Sequence, residues 1–407
     1  MLRQLLSYPG LKSYLTDIVC SDCGRLFSAD EVNTFCPDCQ APLLVNYDLD
    51  TAKQKLDRDE FSSRSKGMWR WYELLPVRDP QNVVFLGEGD TALLHLPRLG
   101  KKLGLSHLYV KDESTNPTGS FKARGLSAAV SKAKELGIKK LIIPTAGNAG
   151  GAMAAYAARA GMEAHVFMPK DAPVANIIES RLAGAEVVLV DGLISDAAGM
   201  AGEKARREGW FDVSTFKEPY RMEGKKTMGF ELAEAFGWEL PDVVMYPTGG
   251  GTGLVAMWKA FEDLEKLGWL KNTKRPRIVS VQAEGCAPVV KAFEAGASFC
   301  DFWLGAETMA SGLRVPKSFA DGMILDALYK SHGIAVAVSD AAIMDAQKQI
   351  GDAEGLFPAP EGAATYAALE KLVQQKWVQP DESVVLFNTG SGLKYLDHLY
   401  PSDTQGK

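Results

Sequence analysis

One lysine and three polar turns in this chain have the residue types and spacing to do chemistry. Lys122 follows Asn116-Pro117-Thr118-Gly119-Ser120-Phe121. Asn-Pro-Thr-Gly is turn chemistry. Gly125 to Leu136 then carries on helically, with Ser120 as a candidate cap. Lys122 thus falls in a first helical turn, where the helix dipole disfavours a cation. An amine held there shifts towards its neutral, nucleophilic form, which a Schiff-base lysine requires. A single helix-start lysine is more often an ordinary surface residue, so its partners decide its meaning.

The first partner is Thr248-Gly249-Gly250-Gly251-Thr252-Gly253, between the apolar run Val243–Pro247 and the helical Leu254–Leu267. Strand, glycine loop and helix start form an anion cradle, because bare N–H groups and the positive helix end face the ligand. No Lys-Ser/Thr pair follows the last glycine, so this is not a Walker loop. Gly251-Thr252-Gly253-Leu254-Val255-Ala256 also matches G-x-G-x-x-A, and a strand from Arg277 ends at Glu284. A nicotinamide oxidoreductase is therefore a rival reading. The second partner is Thr145-Ala146-Gly147-Asn148-Ala149, after the strand Lys140–Pro144. The third is Thr389, a neutral hydroxyl after the strand Ser383–Asn388.

Between them, from Leu108 onward, apolar strand-like runs alternate with helical segments. That repetition predicts an α/β fold with a mostly parallel sheet covered by helices, in which ligands sit at the carboxyl ends of strands. The candidate turns all lie at such ends.

A separate device stands near the N-terminus. Cys20-x-x-Cys23 and Cys36-x-x-Cys39 are two knuckles twelve residues apart. This spacing suits a four-thiolate zinc ribbon, with Gly24 in a tight turn and a hairpin over Arg25–Phe35. Four thiolates leave no open position, so zinc would be structural. Asp48 to Lys66 is expected to be a charged connecting helix or arm, and the Trp69–Pro76 aromatic cluster to pack it on the main body. Cys286 and Cys300 lie far away, so there is no disulfide framework and the expected compartment is reducing. The five histidines have no metal-ligand spacing.

At 407 residues the chain can hold several domains. A formal net charge of −6 speaks against nucleic acid or a membrane surface as a general partner. No apolar run is long enough to span a bilayer, and Met1–Tyr8 lacks a signal-peptide core, so a cytoplasmic location is expected.

A helix-start lysine, an Asn-bearing glycine turn, a phosphate cradle and a strand-end hydroxyl are together what pyridoxal phosphate needs. With these motifs the chain resembles the β-family (fold type II) pyridoxal-phosphate enzymes, and among them the threonine synthases. Lys111-Asp112-Glu113 through Lys122 is similar to that family's cofactor-lysine motif, and Thr389-Gly390-Ser391-Gly392-Leu393-Lys394 to its Thr-Gly-x-Gly-Leu-Lys. Pro219-Tyr220-Arg221-Met222-Glu223-Gly224-Lys225-Lys226-Thr227 is similar to a threonine synthase segment whose Arg helps bind the substrate phosphate. An N-terminal four-cysteine ribbon also occurs in some threonine synthases.

The resemblance implies roles. Lys122 would be catalytic and hold the cofactor. Gly249, Gly250, Gly251, Thr252 and Gly253 would take its phosphate, Asn148 its phenolic oxygen and Thr389 its pyridine nitrogen. Thr145, Ala146, Gly147, Ala149 and Arg221 would bind the amino-acid substrate, and Cys20, Cys23, Cys36 and Cys39 would hold structural zinc. The implied fold is two open, mostly parallel twisted sheets flanked by helices, as in the tryptophan synthase β chain, behind a zinc ribbon. The implied layout is a ribbon segment over 1–50, a large cofactor domain from 51–127 and 216–407, and a small mobile domain over 128–215. A homodimer is implied as well.

The implied reaction converts O-phospho-L-homoserine and water to L-threonine and phosphate. The sequence departs from the family pattern at Ala123, where Asp is usual, at Ala146, and at Phe216. The last two take donors from the neighbourhood expected for a substrate phosphate. They keep a second reading open: an ammonia-lyase or dehydratase acting on threonine, serine or a diamino acid. In a third, non-enzymatic reading the ribbon is a binding module on a lapsed scaffold.

Overall fold

The structure is a computed structural model that describes residues 11–399. Residues 1–10, the start of the expected ribbon segment, and 400–407, the end of the expected large domain, lie outside the described residues. Among the described residues the strands form three sheets. The first holds β1 (Leu15–Cys20), β2 (Leu26–Ser28) and β3 (Leu43–Tyr47) in the antiparallel order β2-β1-β3. The second contains β4 (Leu93–His95), β5 (His107–Asp112), β10 (Val243–Pro247), β11 (Arg277–Ala283), β12 (Ile334–Val338) and β13 (Ser383–Asn388). Its order is β12-β11-β10-β13-β5-β4, parallel except for β4 at one edge. The third is a parallel sheet of β6 (Lys140–Pro144), β7 (Glu163–Pro169), β8 (Glu186–Val190) and β9 (Phe211–Asp212), in the order β8-β7-β6-β9.

Both larger sheets are covered on both faces, and the sequence shows why. Side chains alternate across a strand. Val244 and Tyr246 of β10 enter one apolar cluster, while Val243 and Met245 enter another. In β6, Leu141 and Ile143 face one cluster and Ile142 another. A strand buried on both faces reads as a continuous apolar run, which β10 is.

The N-terminal part corrects one expectation. No hairpin spans Arg25–Phe35: Leu26–Ser28 pairs back onto β1, and the chain then runs irregularly to the second knuckle. The two knuckles are near-duplicates. The Cys20 and Cys36 amides donate to the carbonyls of Arg25 and Ala41 at 2.9 Å each. The amides of Gly24 and Gln40 donate back to Cys20 and Cys36. Gly24 and Gln40 both have positive φ, 72° and 61°, so the tight turn foreseen for the first knuckle recurs in the second. The arm forms two short helices, Leu49–Lys55 and Arg58–Ser63. Phe61 stacks on Trp71 at 4.9 Å between ring centres, so the aromatic cluster does dock the arm.

Helix Lys122–Glu135 lies against helix Tyr220–Ala235, which is buried along almost its whole length. They meet at Gly224, where any Cβ would run into the Arg124 carbonyl. Beneath this crossing lies a buried ion cluster. Arg124 donates through Nε to Glu113 at 2.6 Å, and through its two terminal nitrogens to Glu231, Glu113, Thr227 and Thr91. Lys111 donates to Glu231 at 2.7 Å. Removing one partner of such a cluster strands the others in a dry interior. Arg124→Ala is expected to cost about 3–5 kcal/mol, read as a lower urea midpoint; an unchanged midpoint would contradict the cluster's role.

Candidate active site

Lys122 is the first residue of its helix, and the turn before it is stitched down on several sides. Thr118 and Gly119 both have positive φ, 61° and 63°. The Asn116 side chain accepts from the Gly89 amide at 3.0 Å and donates to Glu113 at 2.8 Å. The Phe121 amide donates to the Thr389 carbonyl at 3.1 Å, and Ser120 bridges to Gly390. Lys394 donates to the Thr118 carbonyl at 2.9 Å. The lysine turn and the turn after β13 are therefore one unit. The expected Ser120 cap does not form: Phe121 occupies the cap position, and the buried Ser120 hydroxyl has no hydrogen-bond partner among the described residues. Ser120 is instead extended and committed by its backbone to the Gly390 bridge.

Lys122 opens into a cleft of about 240 Å³ at the carboxyl ends of β6, β10 and β13. The walls of this one cleft contain Thr145, Ala146, Gly147, Asn148, Ala149, Arg221, Gly249 to Gly253 and Thr389. Segments up to 267 residues apart in the chain, Lys122 and Thr389, thus meet at one cavity. The four cysteines form the separate cluster already described, with sulfur atoms all within 4.8 Å of one another.

The amine of Lys122 is pushed down to about 7, first by burial and then by the Arg221 cation, while Glu361 works in the opposite direction. The sequence points to the helix dipole; in the structure burial and a neighbouring cation lower the amine. Phe121 lies beside the amine, 4.1 Å from ring centre to Nζ.

Two places in the cleft suit an anion. One is the glycine loop, which enters the 16-residue helix Thr252–Leu267 through Gly251 at φ 71°, the left-handed region that favours glycine. No side chain caps that helix, so its first N–H groups point at the cleft end. The other is Arg221, which is 1% exposed. It donates to the Val213 carbonyl at 2.7 Å, but its Nε and second terminal nitrogen have no partner among the described residues. Burial lowers its pKa. Buried donors without partners are uncommon in native folds and call for an explanation.

The departures from the family pattern separate here. Ala146 borders the cleft. Ala123 and Phe216 do not: both pack into apolar clusters, and Phe216 has φ 62°. The cleft wall also holds polar residues that no sequence motif marks, among them Ser214, Lys217, Ser311, Glu361 and Tyr395. Glu361 follows Pro360 at a helix start, and such an acid reads as dipole compensation, so only the fold reveals it.

Pyridoxal phosphate fits these residues: a depressed amine, an uncapped glycine-loop helix, and an Asn148 side-chain oxygen with no partner among the described residues. Residues 84–390 match the family described as pyridoxal-phosphate dependent enzyme. The chain belongs to that family. It is 35% identical to the threonine synthase of Methanocaldococcus jannaschii, over 93% of each chain. It is equally similar to the threonine synthase of Methanosarcina acetivorans, over 92% of this chain and 91% of the relative. Among solved structures, threonine deaminase isoform 2 from Solanum lycopersicum aligns with a TM-score of 0.64 at 22% identity, over 76% of this chain and 83% of that one. An L-serine ammonia-lyase from Rhizomucor miehei aligns with 0.64 at 23%, over 76% and 96%. At that identity the solved structures speak for the fold alone, and they agree with the expected fold type II architecture. The resemblance read from the Lys122 motif is borne out, and the nicotinamide reading falls away.

The depressed amine has a measurable consequence. Cofactor capture by the stripped enzyme needs the neutral amine, so its rate is expected to rise through pH 7 and level off above it. A midpoint near the ordinary lysine value of about 10.4 would contradict the burial argument. Borohydride reduction of the loaded enzyme is expected to add the cofactor's mass at Lys122, and Lys122→Ala to show no such adduct.

Proposed function

We propose that this protein is a pyridoxal-phosphate-dependent lyase of the threonine synthase type, converting O-phospho-L-homoserine and water to L-threonine and phosphate. The full-length likeness to threonine synthases supports it. The observation that carries it is the second anion position. The cofactor's phosphate needs one cradle, the glycine loop. A substrate with its own phosphate needs another, and Arg221 offers two uncommitted buried nitrogens at the same cleft. Serine and threonine have no phosphate to place there.

When bound, pyridoxal phosphate supplies an electron sink for charge developing at the substrate's Cα. The chain supplies the rest. The free Lys122 amine, lowered to about 7, would hold a proton near neutral pH and move it at Cα and then Cβ. Thr145 to Ala149 hold the carboxylate, with the Thr145 hydroxyl accepting from the Gly147 amide at 3.1 Å to shape the turn. Arg221 binds the phosphate that leaves Cγ. The C–O bond at Cγ breaks, Cγ gains a proton, and water forms the new C–O bond at Cβ. Thr389 offers the pyridine nitrogen a neutral partner, which suits replacement at Cβ over transamination.

In the same reading 128–215 is the small unit that closes on the substrate, and 51–127 with 216–407 is the large one. Two copies associate. The cysteines of the 1–50 segment bind one structural zinc; Zn–S bonds of about 2.3 Å need sulfurs about 3.8 Å apart, compatible with the cluster's 4.8 Å limit. Among the described residues no helix is long and apolar enough to cross a membrane, in keeping with a cytoplasmic enzyme.

Phosphohomoserine, serine and threonine offered side by side are expected to give phosphate and threonine from the first and little keto acid from the others. Keto acid without phosphate release would select the ammonia-lyase instead. Arg221→Ala is expected to lower kcat/KM for phosphohomoserine roughly 10- to 100-fold, the scale of a lost charge-assisted hydrogen bond. For the ribbon, elemental analysis is expected to find one zinc per chain, lost on Cys36→Ser; zinc-free protein of unchanged stability would remove the metal assignment.

A further inference from the structure

Glu361 has no part in the roles given above, yet its hydrogen bonds reach two separate walls of the cleft. It is 5% exposed and borders the same cavity as Lys122. Its Oε1 accepts from the Gly312 amide at 2.7 Å and from the Tyr395 hydroxyl at 3.0 Å. That hydroxyl accepts in turn from the Asn148 side-chain nitrogen at 3.1 Å. The Gly312 carbonyl packs so closely on Gly249 that a Cβ there would collide with it. One carboxylate therefore reaches the asparagine turn through Tyr395 and the glycine loop through Gly312.

The charges nearby are unequal. Arg221 opposes a proton on Lys122, and Arg221 and Lys122 oppose one on the buried Lys225; Glu218 acts on Arg221 and Lys225 in the other direction. Glu361 favours the proton on Lys122, and Tyr395 faces the carboxylate as its donor. Burial raises the pKa of Glu361 itself, opposed by the Gly312 amide, the Tyr395 hydroxyl and Lys122. An amide nitrogen has two hydrogens, so Asn148 can donate to Tyr395 and still donate once into the cleft.

We propose that Glu361 is a positioning residue of the cofactor site. Through Tyr395 it orients the Asn148 amide, and its carboxylate sets a fixed negative charge at the same cavity wall as the Lys122 nitrogen that joins the cofactor. The proposal rests on cofactor attachment at Lys122 and on Asn148 meeting the phenolic oxygen; it is independent of the substrate.

The test is a pH titration of the visible absorption band of the purified holoenzyme, without substrate. Glu361→Gln, which keeps the shape and removes the charge, is expected to lower the band's midpoint by about one pH unit or more, tenfold in proton affinity. Glu361→Asp is expected to restore most of that shift. Tyr395→Phe, which cuts the link and keeps the carboxylate, is expected to shift the midpoint the same way by less and to weaken cofactor binding. A Glu361→Gln midpoint equal to wild type overturns the proposal. If Glu361→Gln holds no cofactor, Tyr395→Phe decides: a lowered midpoint supports the link, and an unchanged midpoint with unchanged cofactor affinity overturns it. Since no substrate enters, a failed phosphohomoserine assay leaves this result standing.

Discussion

The arrangement depends on the buried guanidinium of Arg124. Its N–H groups are committed among Glu113, Glu231, Thr227 and Thr91, and Lys111 completes the cluster on Glu231. Those partners come from the end of β5, from the turn after it, from helix Tyr220–Ala235 and from the segment before β4. Arg124 stands two residues beyond Lys122. Whatever fixes Arg124 also fixes the first turn of the lysine helix and the helix that carries Arg221. A buried ion cluster is a poor source of net stability but a strict specifier of geometry when every donor is met.

The cleft shows the opposite economy. Arg221 and Lys225 are buried basic side chains with nitrogens that find no partner among the described residues, and burial pushes the Lys225 amine well below the ordinary lysine value. Burying such groups costs free energy. The consequence is chemical: the dry surroundings and then the Arg221 cation push the Lys122 amine down to about 7, into the range where it can both take and give a proton. The uncapped helix at Gly251 follows the same logic, with backbone donors left for an anion. Asn148 and Arg221 thus bring buried polar atoms without partners among the described residues to the wall of one cavity.

Much of this was legible in the sequence, for particular reasons. Val243–Pro247 and Lys140–Pro144 read as buried strands because both faces of a covered parallel sheet are apolar. The glycine loop could be read because only certain residues follow such backbone, and the knuckles because thiolate spacing is short-range. Other features misled. Ser120 has the type of a cap but is held extended by Gly390, across the fold. Residues Arg25–Phe35 read as a hairpin, yet Leu26–Ser28 pairs with β1 and no second strand follows it before the second knuckle. Phe216 looked like a change at the substrate wall, and its side chain lies in the core. Glu361 and Tyr395 went unnoticed because neither belongs to a local pattern.

The sequence by itself determined the alternation of strands and helices, the turn chemistry that ends them, the cysteine spacing and the family motif around Lys122. These follow from periodicity and backbone preference, which act over a few residues. Only the tertiary structure decided that Lys122, Asn148, Arg221, Gly249–Gly253 and Thr389 share one cavity, that the lysine is depressed by burial and by Arg221, and that Glu361 links the two turns on either side of it. Proton affinity and charge coupling depend on distance and desolvation between residues far apart in the chain, and these exist only once the sheets have packed.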